Sequence, residues 1–297
     1  KELSGLRLIY LKKTTNLKQV FNKKVMVKDI SEEYSKKGYV VIKNLVNPKD
    51  IKKFSEIAMR HDHKSSANAI VDYFNDYVRF LDLRLYFKYF KFINLRYLFD
   101  CYFLISKSKK NDWKSLMASI NYQKKNNVSR IDSYISKKSE EDILEWHTDQ
   151  AFGGATHPPE FFGNASGTVP TRNVNKLFLH ITDVKYKNGA FSYIPYSHKI
   201  NLAIRELINT QIIKYKPFLL LQDAVNLVEN EHKNKFLNIL DKNEIETFLI
   251  NAKKAISDDE EFSLECKAGD AVLFNDFGYH KGTAPKLSKR IIFRYFY

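Results

Sequence analysis

Of the eight histidines in this 297-residue chain, His147 has the most suggestive neighbours, in Glu145-Trp146-His147-Thr148-Asp149. On an extended strand, residues two apart share a face, so the His147 imidazole and the Asp149 carboxylate can converge on one ion. A third donor must come from a distant strand. His280 is the best candidate, because Gly269-Asp270 to Asp276 just ahead of it read as a turn and a strand. Two histidines and a carboxylate on one face leave positions open on non-haem Fe(II) for a co-substrate and O2. Alone, His-x-Asp is a weak signal, met equally well by a hydrogen-bonded pair on a sheet. The later context strengthens it. Arg290 lies ten residues beyond His280, at the start of an apolar stretch, where a guanidinium could hold a dicarboxylate through two parallel hydrogen bonds.

These residues need a scaffold. Residues 31–60 read as helix, strand, helix: Ser31 caps a short helix ending near Gly38, Tyr39-Val40-Val41-Ile42 is a β-branched strand, and Asn47-Pro48 opens the next helix. Residues 67–117 read as helical apart from breaks. After about Met117 come short runs bounded by turns, at 177–184, 191–194, 271–274 and 291–297, which read as strands. The helical period returns between Ile204 and Ala255, with Ile204, Leu207, Ile208 and Ile212 on one face. A helical insertion, about 204–256, therefore interrupts the strand-rich half. Its position between the ligand-bearing strands suggests a lid. The expected organisation is a single domain over 1–297, with a mainly helical buttress over 1–117 and a strand-rich core over 118–297.

Composition narrows the function. At 44% apolar and 14% aromatic residues, with few Gly and Pro, the chain is globular. The net charge of +15 invites a nucleic acid, an acidic membrane surface or an anionic ligand as partner. Its distribution argues otherwise: residues 1–130 hold 28 Lys and Arg against 12 Asp and Glu, and the remainder hold 21 against 22. The half with the candidate site is balanced, and no nucleic-acid-binding signature accompanies the basic half. A basic outer face could steer an anionic small molecule, and the solubility of a Lys-rich surface explains it equally well. The apolar stretch 79–105 carries Arg79, Asp82, Lys88, Lys91, Arg96 and Asp100 at helical intervals, a solvated stripe that argues against a membrane span. Two isolated cysteines, Cys101 and Cys266, exclude a disulfide framework and favour a reduced, cytoplasmic setting.

Four ordered segments resemble the phytanoyl-CoA dioxygenase-like family of Fe(II)/2-oxoglutarate oxygenases: Gly38 to Leu45; Trp146-His147-Thr148-Asp149; Asn188-Gly189-Ala190-Phe191 to Pro195-Tyr196-Ser197-His198-Lys199; and Gly269-Asp270 to His280 to Arg290. The resemblance runs from about residue 31 to the end. It implies an α+β chain whose core is a double-stranded β-helix of the jelly-roll type, buttressed by helices. It also implies iron bound by His147, Asp149 and His280, and 2-oxoglutarate paired with Arg290, or failing that Arg294 on the same strand face. The reaction implied is O2-dependent hydroxylation of an unactivated C–H bond in a small molecule. Halogenating relatives replace the carboxylate ligand by a small residue, so Asp149 argues against halogenation. Two departures stand out: the 133-residue separation of His147 and His280, and a Pro-Tyr-Ser-His turn in place of Pro-Gly-Ser-His. Trp146, Phe152 and Phe178 are candidates for an apolar cage. Of the other histidines, His198 is expected to hydrogen-bond its turn, His61 and His63 lack a third ligand, His157 could line the site entrance, and His180 faces either the pocket or the outer layer. Competing readings are a non-catalytic barrel protein and a basic polyanion-binding protein.

Overall fold

The structure is a computed structural model that describes residues 30–60, 68–69, 95–109, 111–120, 128, 130–139, 144–149, 169, 174–216 and 219–297. A first helix, α1 (30–37), leads through Gly38 into β1 (Tyr39–Ile42). Helix α2 (Pro48–Arg60) starts where Asn47 accepts a hydrogen bond from the Asp50 amide at 3.0 Å, with proline at the first helical position, where no amide donor is needed. Strand β2 (Asn68–Ala69), α3 (Leu95–Ser108) and α4 (Asn111–Ile120) follow, then β3 (Arg130–Ser136), β4 (Leu144–His147), β5 (Asn175–His180) and β6 (Phe191–Tyr193).

The insertion comes next: α5 (Ser197–Asn209), α6 (Leu221–Asn226) with a π turn (Leu227–Glu231), α7 (Lys233–Leu237) and α8 (Lys242–Ser257). The chain closes with β7 (Ser263–Leu264), β8 (Ala271–Asn275), β9 (His280–Gly282) and β10 (Arg290–Phe296).

Two antiparallel sheets result, one ordered β1-β8-β5-β10-β3-β2 and the other β4-β9-β6-β7. From β3 onward, the chain places β3, β5, β8 and β10 in one sheet and β4, β6, β7 and β9 in the other. That interleaving is the double-stranded β-helix.

Among the described residues, the apolar side chains fall into three cores. On the outer face of the six-stranded sheet, Leu177, Leu179, Leu273, Ile291, Phe293 and Tyr295 pack against the N-terminal helices through Phe54, Ile57 and Trp113. Between the sheets, Phe191, Tyr193, Val272 and Phe274 form a smaller core. The insertion builds a third, from residues such as Ile204, Phe236 and Phe248, against Trp146 and Tyr279 of the four-stranded side.

Three expectations need adjusting. Residues 68–69, expected within a helical stretch, pair with β3, with Asn68 opposite Ser133, and so satisfy the backbone on that strand's outer edge. The strand expected over 177–184 runs Asn175–His180, after which Thr182 accepts the Ile291 amide through its side chain. The insertion begins at Ser197, earlier than its apolar period suggested.

Phe293 is fully buried and edge-on to Phe54 at 5.0 Å. Phe293→Ala should cost about 3–5 kcal/mol of unfolding free energy in urea, the usual cost of deleting a buried ring. A loss under about 1 kcal/mol would mean that the sheet and helices do not share this core.

Candidate metal centre

Strands β4 and β9 are neighbours, and their register sets His147 opposite His280. The two rings lie 4.5 Å apart between centroids. Asp149 follows as β4 ends, its amide donating to the Asp276 carbonyl at 3.1 Å. The ligand-type atoms of His147, Asp149 and His280 all lie within 4.8 Å of one another, and His280 Nε2 is 3.2 Å from Asp149 Oδ2.

Each ring is oriented by its own strand. His147 Nδ1 is 2.7 Å from the Glu145 carbonyl, and His280 Nδ1 is 2.8 Å from that of Gly278. A carbonyl only accepts, so the proton sits on Nδ1 and the Nε2 lone pair is left for an ion. Burial, and then the neighbouring His280, push His147 down to about 4, so its ring is neutral as ligation requires. Burial alone would raise the Asp149 carboxyl. The Lys176 ammonium, and then His280, pull it well below the usual carboxylate range. The set therefore offers two imidazole Nε2 atoms and one carboxylate, a donor set that fits Fe(II) with positions to spare.

Behind each ligand histidine, the preceding residue points the other way, into the insertion. Trp146 donates from its indole to the Ala255 carbonyl at 3.3 Å. Tyr279 donates from its hydroxyl to the Leu219 carbonyl at 3.1 Å, and its amide donates to Ser197 Oγ at 2.8 Å. Beyond His280, Lys281 reaches Asp259 at 2.9 Å, which places that acidic residue in the scaffold rather than in a purely solvated loop. The insertion thus braces the ligand-bearing sheet from behind, where its position between the strands had suggested a lid. A cavity of about 600 Å³ lies on this rear side, lined by residues including Trp146, Leu221 and Lys281.

Trp146 is consequently not a cage residue. Phe178 is, lying edge-on to Phe191 at 5.3 Å and to Phe274 at 4.8 Å, and Phe191 and Phe274 are each within 5.4 Å of the His280 ring. His198 sits beside Gly38, close to α1 and away from the three donors, where a Cβ on that glycine would fall 2.4 Å from its ring. His61, His63, Phe152 and His157 lie outside the described residues.

Both candidate arginines point between the sheets, since β10 alternates. Arg294 is bound to the fully buried Asp132 at 2.9 Å, so its charge is already compensated. Among the described residues, Arg290 donates to neutral acceptors: the Gly189 carbonyl at 2.8 Å, the Thr283 carbonyl at 3.3 Å and Ser136 Oγ at 2.9 Å. Burial lowers it to about 10, still charged at neutral pH.

Two residues escaped the sequence reading. Lys176 lies 2.5 Å from Asp149 Oδ2, and only its even spacing from Phe178 within an apolar strand could have flagged it. Asp276 is fully buried and supports Asp149 through its backbone, a role without a sequence signature.

An interleaved β-helix with two histidines and a carboxylate at one end of its smaller sheet defines a non-haem metal-dependent class of oxygenase. The sequence matches the phytanoyl-CoA dioxygenase (PhyH) family over residues 34–290, and the chain belongs to that family. No curated protein matches the sequence. Among solved structures, it is similar to HygX from Streptomyces hygroscopicus with nickel and 2-oxoglutarate bound, at 10% identity and a TM-score of 0.49 over 89% of this chain and 83% of that one. It is also similar to the epimerase SnoN in complex with Fe3+, alpha ketoglutarate and nogalamycin RO (10%, 0.45, 92% and 83%) and to the carbocyclase SnoK from nogalamycin biosynthesis (12%, 0.46, 91% and 82%). Among the described residues, no helix is long and apolar enough to cross a membrane.

Two outcomes are expected. A Cβ on Gly278 would fall 1.8 Å from the Tyr193 hydroxyl, and the Gly278 carbonyl orients His280. Gly278→Ala should lower Fe(II) affinity about 10–100-fold in a metal titration, as loss of a ligand's orienting partner does; wild-type affinity would show that the turn is not orienting the ring. Burial, followed by neighbouring positive charge, holds His180 at about 3 and His198 at about 4. Above about pH 6.5 these rings are neutral in folded and unfolded chains alike. As the pH falls from there towards 4, the unfolded chain takes up protons that the folded chain refuses. Stability should decline by up to about 1.4 kcal/mol per pH unit and ring. Equal urea unfolding free energies at pH 7 and pH 5 would contradict this.

Proposed function

We propose that the chain is an Fe(II)- and 2-oxoglutarate-dependent dioxygenase that hydroxylates an unactivated C–H bond of a small molecule. In this reading His147, Asp149 and His280 ligate iron and Arg290 pairs with the distal carboxylate of 2-oxoglutarate. The observation that carries it is the meeting of three donors within 4.8 Å, with both Nδ1 atoms turned onto backbone carbonyls.

Bound Fe(II), with 2-oxoglutarate and O2, supplies decarboxylation of the co-substrate to succinate and CO2, coupled to oxidation of a C–H bond. The chain's own residues do the rest. Asp149 stays anionic and keeps a ligand position that a halide would need, which favours hydroxylation over halogenation. Arg290 presents a buried charge paired with no carboxylate among the described residues, the right partner for an incoming dicarboxylate. Arg294 has spent its charge on Asp132. Phe178, Phe191 and Phe274 keep water from the ligands' inner side.

Anaerobic addition of Fe(II) and 2-oxoglutarate should produce the weak visible metal-to-ligand charge-transfer band. Asp149→Ala or His280→Ala should abolish it. Arg290→Ala should weaken 2-oxoglutarate binding at least about tenfold with iron retained, the loss expected for a charged hydrogen-bonded pair, and Arg294→Ala should weaken it less. A wild-type protein without the band would defeat the iron assignment, and the reverse order of the arginines would move the anchor to Arg294. A screen for succinate formation over candidate metabolites then identifies the substrate.

A further inference from the structure

His180 stands at the end of β5, two residues beyond Phe178 and four beyond Lys176, and so on the face that looks between the sheets. Its side chain is buried, with the residue only 1% exposed, and neither ring nitrogen has a hydrogen-bond partner among the described residues. A buried polar group in that state costs about 1–3 kcal/mol, so it normally has a reason to be there.

The register supplies a reason. His180 lies opposite Ile292 on β10, and Arg290 and Arg294 flank Ile292 on the same face. Both arginines have an unpaired buried Nε. Unpaired polar nitrogens from two neighbouring strands therefore share one interior face. Among the described residues, the nearby carboxylates are engaged elsewhere: Asp132 with Arg294, and Asp270 with Lys43 and the amides of Asn44 and Lys267. Burial, and then the Arg290 guanidinium, keep the His180 ring neutral, so it offers one N–H donor without adding charge.

We propose that His180 is a second binding residue for the distal carboxylate of 2-oxoglutarate, donating a hydrogen bond to one carboxylate oxygen while Arg290 supplies the charge. The proposal rests on the oxygenase reading above and adds to it the group that shares the carboxylate with the arginine. A neutral donor beside a cation suits a monoanionic end group, because a second cation there would have to be desolvated as well.

The test uses the full chain loaded with Fe(II) under anaerobic conditions, following the charge-transfer band through two titrations. One ligand is 2-oxoglutarate. The other is 2-oxobutyrate, which has the same chelating head and a hydrogen in place of the distal carboxylate. His180→Leu should weaken 2-oxoglutarate about tenfold or more, the loss expected for one hydrogen bond to a charged group, and leave 2-oxobutyrate unchanged. His180→Gln, which keeps an N–H donor, should recover most of the loss. Unchanged 2-oxoglutarate affinity in His180→Leu would overturn the proposal. So would equal weakening of both ligands, which marks a purely structural role, or His180→Gln binding as poorly as His180→Leu. Should His180→Leu fail to fold, His180→Gln decides alone: near-wild-type affinity for 2-oxoglutarate supports the role, and weakening of both ligands overturns it. Absence of the band in the wild type is a separate result, which removes the oxygenase reading and this proposal together.

Discussion

Strand alternation at two adjacent positions governs this molecule. On β4 and again where β9 begins, one residue turns inward as a candidate ligand and its predecessor turns outward as an anchor: His147 after Trp146, His280 after Tyr279. The anchors are large, buried and hydrogen-bonded to the insertion. A histidine on a two-sheet sandwich with a single supporting layer would be free to shift with the sheet. Here the sheet is clamped between an aromatic interior and a helical back wall, and the imidazoles inherit that rigidity.

The six-stranded sheet plays the complementary part. It is backed by the N-terminal helices through Phe54, Trp113 and their neighbours, and it presents Lys176, His180, Arg290 and Arg294 to the interior. One sheet thus carries the two histidines of the candidate centre, with Asp149 just beyond its edge strand, and the other the cationic and polar groups. The basic excess noted over residues 1–130 contributes none of these four groups, which all lie in the balanced half.

Much of this could be read from the chain, and the reasons are local. His147 and Asp149 share a face whatever the rest of the fold does, and the β-branched and aromatic runs at 191–194, 271–274 and 291–297 announce strands. The same rule applied one residue earlier would have removed Trp146 from the cage, because a neighbour of an inward residue points outward. What could not be read depends on register between distant segments. His180 was known to share a side with Phe178, but which side required knowing that β5 lies between β8 and β10. Lys176 meets Asp149 across 27 positions, and Asp276 supports Asp149 through a backbone carbonyl that any residue could supply. The insertion's apolar period gave its helices without saying which surface they would cover.

The ion pair between Lys176 and Asp149 carries one further consequence. A carboxylate in a partly buried pocket needs a positive partner, and the ammonium provides one from within the chain. None of the three hydrophobic cores is assembled through the donor atoms themselves. If the three donors take iron as proposed, this ion pair would give the carboxylate its counter-charge before any metal arrives, so that folding would not have to wait for the ion.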